Sequence, residues 1–123
     1  MTKLDQLVLQ IRNEVGTSFL SMDVIGVDGL SIAGVAADAN KERGDASARA
    51  AMIMKLGANI SKKLSLGEVE DTLITTNRLY VIIRVLGDGS YTWGLVFSRE
   101  AILGSVRLLM NEYAPQLWDA IPR

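Results

Sequence analysis

The 123-residue chain has no cysteine and no histidine. The first absence removes disulfides, thiolate chemistry and zinc–sulfur sites. The second removes the commonest general base and the usual catalytic triads, so Ser18, Ser21 and Ser98 have no histidine to activate them. Charge of one sign is also missing. Thirteen Lys and Arg against fourteen Asp and Glu give a net charge of −1, which offers no bulk attraction for nucleic acid or an anionic membrane. Long apolar runs are lacking as well. The longest, over 24–37, is interrupted by Asp28 and by glycines, too broken to span a bilayer. The first ten residues carry Asp5 and Gln6 among their leucines, unlike a signal peptide. The expectation is a single domain over 1–123, cytoplasmic and not inserted in a membrane.

What is present is apolar patterning. Residues 45–64, DASARAAMIMKLGANISKKL, read as one helix of about 30 Å at ~1.5 Å per residue. Ala46, Ala50, Ile53, Met54, Gly57, Ile60 and Leu64 gather on one side of its wheel. Met52 and Leu56 continue the stripe, which Arg49 and Lys63 interrupt. The apolar arc spans roughly 200°, about twice the minimum that a surface helix needs to cover a core. Such a helix wants a sheet beneath it and a second neighbour beside it, or else burial within its own subunit. Ala50, Gly57 and Ser61 are small and close together, so a second copy of the helix could approach there. The wheel leaves open which flank meets the sheet and which meets the copy.

Taken in order, Thr2 and Asp5 resemble a capping box, and Leu4, Leu7, Val8, Ile11 and Val15 make one helical face that ends at Gly16. Strands are expected over 19–27 and 30–36, joined at Asp28-Gly29 by a tight turn with positive φ at both positions. A polar loop over 40–44 leads to Asp45 as helix N-cap, and Ser65–Gly67 closes that helix. Residues 69–76 are β-branched but half polar, which fits an edge strand. Residues 79–86 are apolar on both faces, which fits a central one. A third strand covers 91–97. Ser98 is expected to cap a last helix carrying Ile102, Leu103, Val106, Leu109, Met110 and Tyr113, with Pro115 ending it and a tail folded back through Leu117, Trp118 and Ile121. The class is α+β in the order α-β-β-α-β-β-β-α, a five-stranded antiparallel sheet with helices on both faces.

No chemistry-bearing motif emerges. The turns around Gly26–Gly29 and Gly87–Gly89 lack the phosphate-loop pattern and do not lead from strand to helix. Glu70 and Asp71 point to opposite faces of a strand and cannot share a metal or a proton. No catalytic site, cofactor or metal is expected, and binding is favoured over catalysis.

Three stretches resemble the Roadblock/dynein light chain family: Val27-Asp28-Gly29-Leu30-Ser31-Ile32-Ala33, the alanine-rich helix with Ala48–Met52, and Ala101-Ile102-Leu103-Gly104-Ser105-Val106-Arg107. The resemblance covers roughly 4–113, and profilin-like domains share parts of the layout. It implies a homodimer in which the long helices pack side by side and the third strands pair across a two-fold axis. Ala50, Ile53, Met54, Gly57, Ser61, Glu70, Thr72 and Ile74 would form that interface. It implies a Ras-like small GTPase as partner, in the manner of the bacterial gliding-motility members, which activate hydrolysis without an arginine finger. Arg49, Lys55 and Lys62 are the candidate docking cations. The alternatives are an adaptor subunit of a larger assembly that leaves hydrolysis unchanged, and a profilin-like module holding a small ligand in a cavity against the sheet.

Overall fold

In the computed structural model, which describes residues 1–38 and 44–123 (side chains of 44 and 45 excepted), the order is the one the patterning predicts. Helix α1 spans Lys3–Val15. Thr2 caps it by accepting the Asp5 N–H at 3.1 Å, while its hydroxyl donates to the Asp5 carboxylate at 2.8 Å. This is a variant of the capping box, with side chain answering side chain instead of the N-cap backbone. Leu4, Leu7, Val8 and Ile11 are buried, and Gly16 ends the helix.

Five strands follow: β1 (Phe19–Gly26), β2 (Ser31–Ala36), β3 (Asp71–Thr75), β4 (Leu79–Leu86) and β5 (Tyr91–Ser98). They form one antiparallel sheet in the order β2-β1-β5-β4-β3. The half-polar β3 lies at the edge and the doubly apolar β4 lies inside, as their compositions require. Alternation on β5 sends Trp93, Leu95 and Phe97 into the core under α1 and α3 (Leu103–Ala120), each fully buried. The opposite parity of the sheet, with Ile25 and Ile83, lies under α2 (Gly44–Lys63).

Four local expectations are corrected. The β1–β2 loop is three residues, Val27-Asp28-Gly29, closed by Gly29 N–H to Gly26 O at 2.9 Å and Gly26 N–H to Leu30 O at 3.0 Å. Only Gly29 has positive φ, +84°, because a three-residue loop needs one left-handed position instead of two. A Cβ there would come 3.1 Å from the Ala48 Cα, so the hairpin tip rests against α2. Helix α2 already includes Gly44, which puts Asp45 inside its first turn and not at the N-cap; of the loop expected over 40–44, residues 40–43 lie outside the described residues. Helix α3 starts at Leu103 after a turn, with Ile102 at the N-cap, so Ser98 belongs to β5 and caps nothing.

The fourth correction is Pro115, which sits within α3. Its missing N–H and its ring normally cost a helix about 3 kcal/mol. Continuing the helix buries Leu117 and Ile121, each worth ~1.5–3 kcal/mol. Trp118 from the same turn lies on Gly87, where φ is +54° and a Cβ would collide with the indole. The Arg123 guanidinium lies over the Trp118 ring, 3.9 Å from its centroid. Tyr113 ties α3 to α1 by donating to the Glu14 carboxylate at 2.8 Å. Burial first, and then that carboxylate, push the Tyr113 phenol up to about 12.

Candidate functional site

The candidate site is the outward side of α2 with the adjoining edge of β3. Toward the sheet α2 is small and tight. Ser47, Ala51 and Met54 are buried, and the Met54 sulfur accepts the Thr72 hydroxyl at 3.4 Å. Toward solvent the helix is apolar. Met52, Leu56, Ile60 and Leu64 recur every four residues and are 67%, 61%, 46% and 64% exposed. At ~1.5 Å per residue this stripe runs about 18 Å. Side chains four apart lie over one another on a helix, so the four make one strip and not scattered contacts. Leu66, beyond the helix end, is exposed as well.

That end is shaped by Ser65. Its φ is +54°, the one positive value outside glycine among the described residues. Ser65 N–H donates to Lys62 O at 3.3 Å and Leu66 N–H to Ser61 O at 2.9 Å, the paired bonds of a Schellman close. The turn directs the chain back to β3, whose outer backbone edge has no strand beside it among the described residues.

The residues expected at an interface divide in three. Ala50, Ile53, Gly57 and Ser61 are half-buried, on the α2 flank turned toward β3, where Gly57 faces Val69. Thr72 and Ile74 lie on β3 on the α2 side, half-buried, while Glu70 precedes the strand and its carbonyl accepts the Val85 N–H at 2.9 Å. Met54 is different. It is 7% exposed and filled against the sheet, so it faces the subunit's own core. The exposed strip around Met52 and Leu56 was visible in the sequence only as the far border of the apolar arc. Of the expected docking cations, Arg49 lies on the outward side among the apolar strip. Lys55 and Lys62 lie on the flank away from β3.

Under that second flank is an open cleft of about 510 Å³, between α2, the strand ends and the β4–β5 turn. On the other side of the sheet a depression of about 200 Å³ is closed by the Arg107–Asp71 ion pair at 2.9 Å and by Arg84 donating to Asn111. Among the described residues no helix is long and apolar enough to cross a membrane.

No protein-family model matches the chain, and no curated protein does. Solved structures do. The fold is that of Roadblock/LC7 domains: one from Streptomyces avermitilis superimposes with a TM-score of 0.76 at 19% identity, over 92% of this chain and 96% of that one. Within that class the chain is similar to MglB. Myxococcus xanthus MglB gives a TM-score of 0.87 at 13% identity, over 97% of this chain and 94% of that one. An MglB described with a tetrameric arrangement gives 0.84 at 17%, over 96% and 87%.

Proposed function

We propose that the protein is a non-enzymatic homodimeric binding platform for a Ras-like small GTPase. The observation that carries the reading is the strip Met52–Leu56–Ile60–Leu64, exposed along a helix whose inner side is already packed. Water-facing apolar strips of this length mark contact surfaces. A two-fold copy laid along the strip would cover it, and β3 would meet β3 beside it. Ala50, Ile53, Gly57 and Ser61 then line the border between the paired helices and the paired strands, with Thr72 and Ile74 beneath. The tetrameric MglB of the same fold supports self-association as a property this fold can have. In such a dimer Arg49 falls inside the seam, while Lys55 and Lys62 stay accessible beside it as cations for a partner.

The GTPase part of the reading follows from the sequence resemblance and from the similarity to MglB. Its test is binding to a Ras-like GTPase loaded with GDP or with a non-hydrolysable GTP analogue, followed by GTP turnover at saturating platform. Nucleotide-dependent binding with faster turnover supports an activator that works by repositioning the GTPase's own groups. Binding with unchanged turnover makes the protein an adaptor. Absence of binding in both nucleotide states overturns the reading.

A further inference from the structure

The cleft under α2 has features that self-association does not use. Its floor is apolar, from Ile25, Met54 and Val85. In that floor the Thr92 hydroxyl is buried without a hydrogen-bond partner. That oxygen has almost no accessible surface, so it lies beneath the cleft wall and offers a ligand no contact. The rim carries both signs of charge. Lys55 and Lys62 overhang it from α2, two turns apart on one flank, and neither is paired with a carboxylate among the described residues. Glu68 and Asp88 stand on the loops that close the cleft, and the Ser90 N–H fixes the Asp88 carboxylate at 2.9 Å.

We propose that this cleft binds a small zwitterion with an apolar body, in the class of an apolar or aromatic amino acid or a peptide of two or three such residues. Its carboxylate faces Lys55 and Lys62. Its ammonium faces Glu68 and Asp88. The apolar body lies over Ile25, Met54 and Val85. The volume of about 510 Å³ falls in the range of small-molecule sites. A plain anion would leave the two acidic groups facing its head, and a plain cation would leave the two lysines. A ligand with both charges answers both pairs of rim groups. The proposal does not rest on the GTPase reading.

The test is calorimetric titration of the full chain, with no GTPase present, using phenylalanine and trileucine as probes. Each is compared with its N-acetyl form, which lacks the ammonium, and its carboxamide, which lacks the carboxylate. The expected result is one site per subunit for at least one zwitterion, with both singly charged forms weaker by about tenfold or more. In Lys55→Gln/Lys62→Gln the preference for the acid over the amide disappears, and in Glu68→Gln the preference for the free amine over the N-acetyl form shrinks. All three side chains are exposed, so the variants keep their fold. Ala58→Trp, also at an exposed lining position, fills the cleft and abolishes binding with circular dichroism unchanged. No binding of either probe up to about 10 mM, a free energy below ~3 kcal/mol, overturns the proposal. Equal affinity for all three charge forms, or undiminished binding by folded Ala58→Trp, overturns it as well.

Discussion

Leu56→Glu is the most direct perturbation of the proposed seam. Burying a leucine completely is worth ~1.5–3 kcal/mol. Leu56 is 61% exposed, so covering it recovers about 1–2 kcal/mol per subunit. A two-fold seam contains the residue twice, which makes about 2–4 kcal/mol. A glutamate also brings a carboxylate into the seam, and its desolvation adds to the cost, offset in part by Arg49 in the same seam. At ~1.4 kcal/mol per tenfold, the dissociation constant rises by roughly 30- to 700-fold from the apolar loss alone, and further with the charge. Light scattering coupled to size exclusion reads this directly. The wild type is expected at twice 13.4 kDa and Leu56→Glu at 13.4 kDa. Because the side chain is exposed in the subunit, thermal unfolding of the variant monomer should show no local packing loss. Leu108→Glu on α3 is the control, since Leu108 is 71% exposed but far from the strip in the chain's layout. Three results would refute the reasoning: a monomeric wild type, a Leu56→Glu that keeps the dimer mass on dilution, or a Leu108→Glu that dissociates equally.

Ser65→Gly should stabilise the subunit by about 0.5–1 kcal/mol, since only the glycine adopts this φ without steric cost; a urea midpoint equal to or below wild type would count against it. Gly87→Ala should cost more than about 2 kcal/mol, and clearly less in a Trp118→Ala background, where only the backbone strain remains; a double-mutant cycle with no coupling would contradict the stacking. Tyr113 has its folded pKa raised to about 12, so it contributes stability that is fully present below the ordinary phenol value near ~10 and is lost as pH rises through 12. Chemical denaturation from pH 9 to 12 should therefore fall more steeply for wild type than for Tyr113→Phe, and parallel curves would remove the linkage.

Much of the fold could be read from periodicity because most elements have one clear inside. The spacing of Leu4, Leu7, Val8 and Ile11 leaves a single helical face to bury, and the alternation of Trp93, Leu95 and Phe97 leaves a single strand parity. Helix α2 has no such asymmetry. Apolar residues occur on its inner side at Met54 and on its outer side at Leu56, so hydrophobicity alone cannot phase it against the sheet. What decides the phase is size, since Ser47, Ala51 and Gly57 permit the close approach that Met52 and Leu56 do not. Pro115 was misleading for another reason. A local rule of helix termination yields when the residues beyond it, Leu117 and Ile121, have a core to enter. The cleft was invisible because it is assembled from the end of α2, a loop and a distant turn, and no local spacing reports on such a meeting.

The sheet ends in two unlike margins, and the difference bears on how far assembly can grow. Joining two subunits through β3 would yield a continuous ten-stranded ribbon, five from each, with a β2 at either extremity. A second joining of the same kind at β2 would give an open-ended fibre. β2 is poorly suited to it. It is six residues long, and Ile32 is an extra residue where the pairing slips between Val24 and Ile25 of β1, which twists that margin away from a flat template. In the proposed dimer the irregularity in β2 would act as a terminator, restricting strand-to-strand growth to a closed pair.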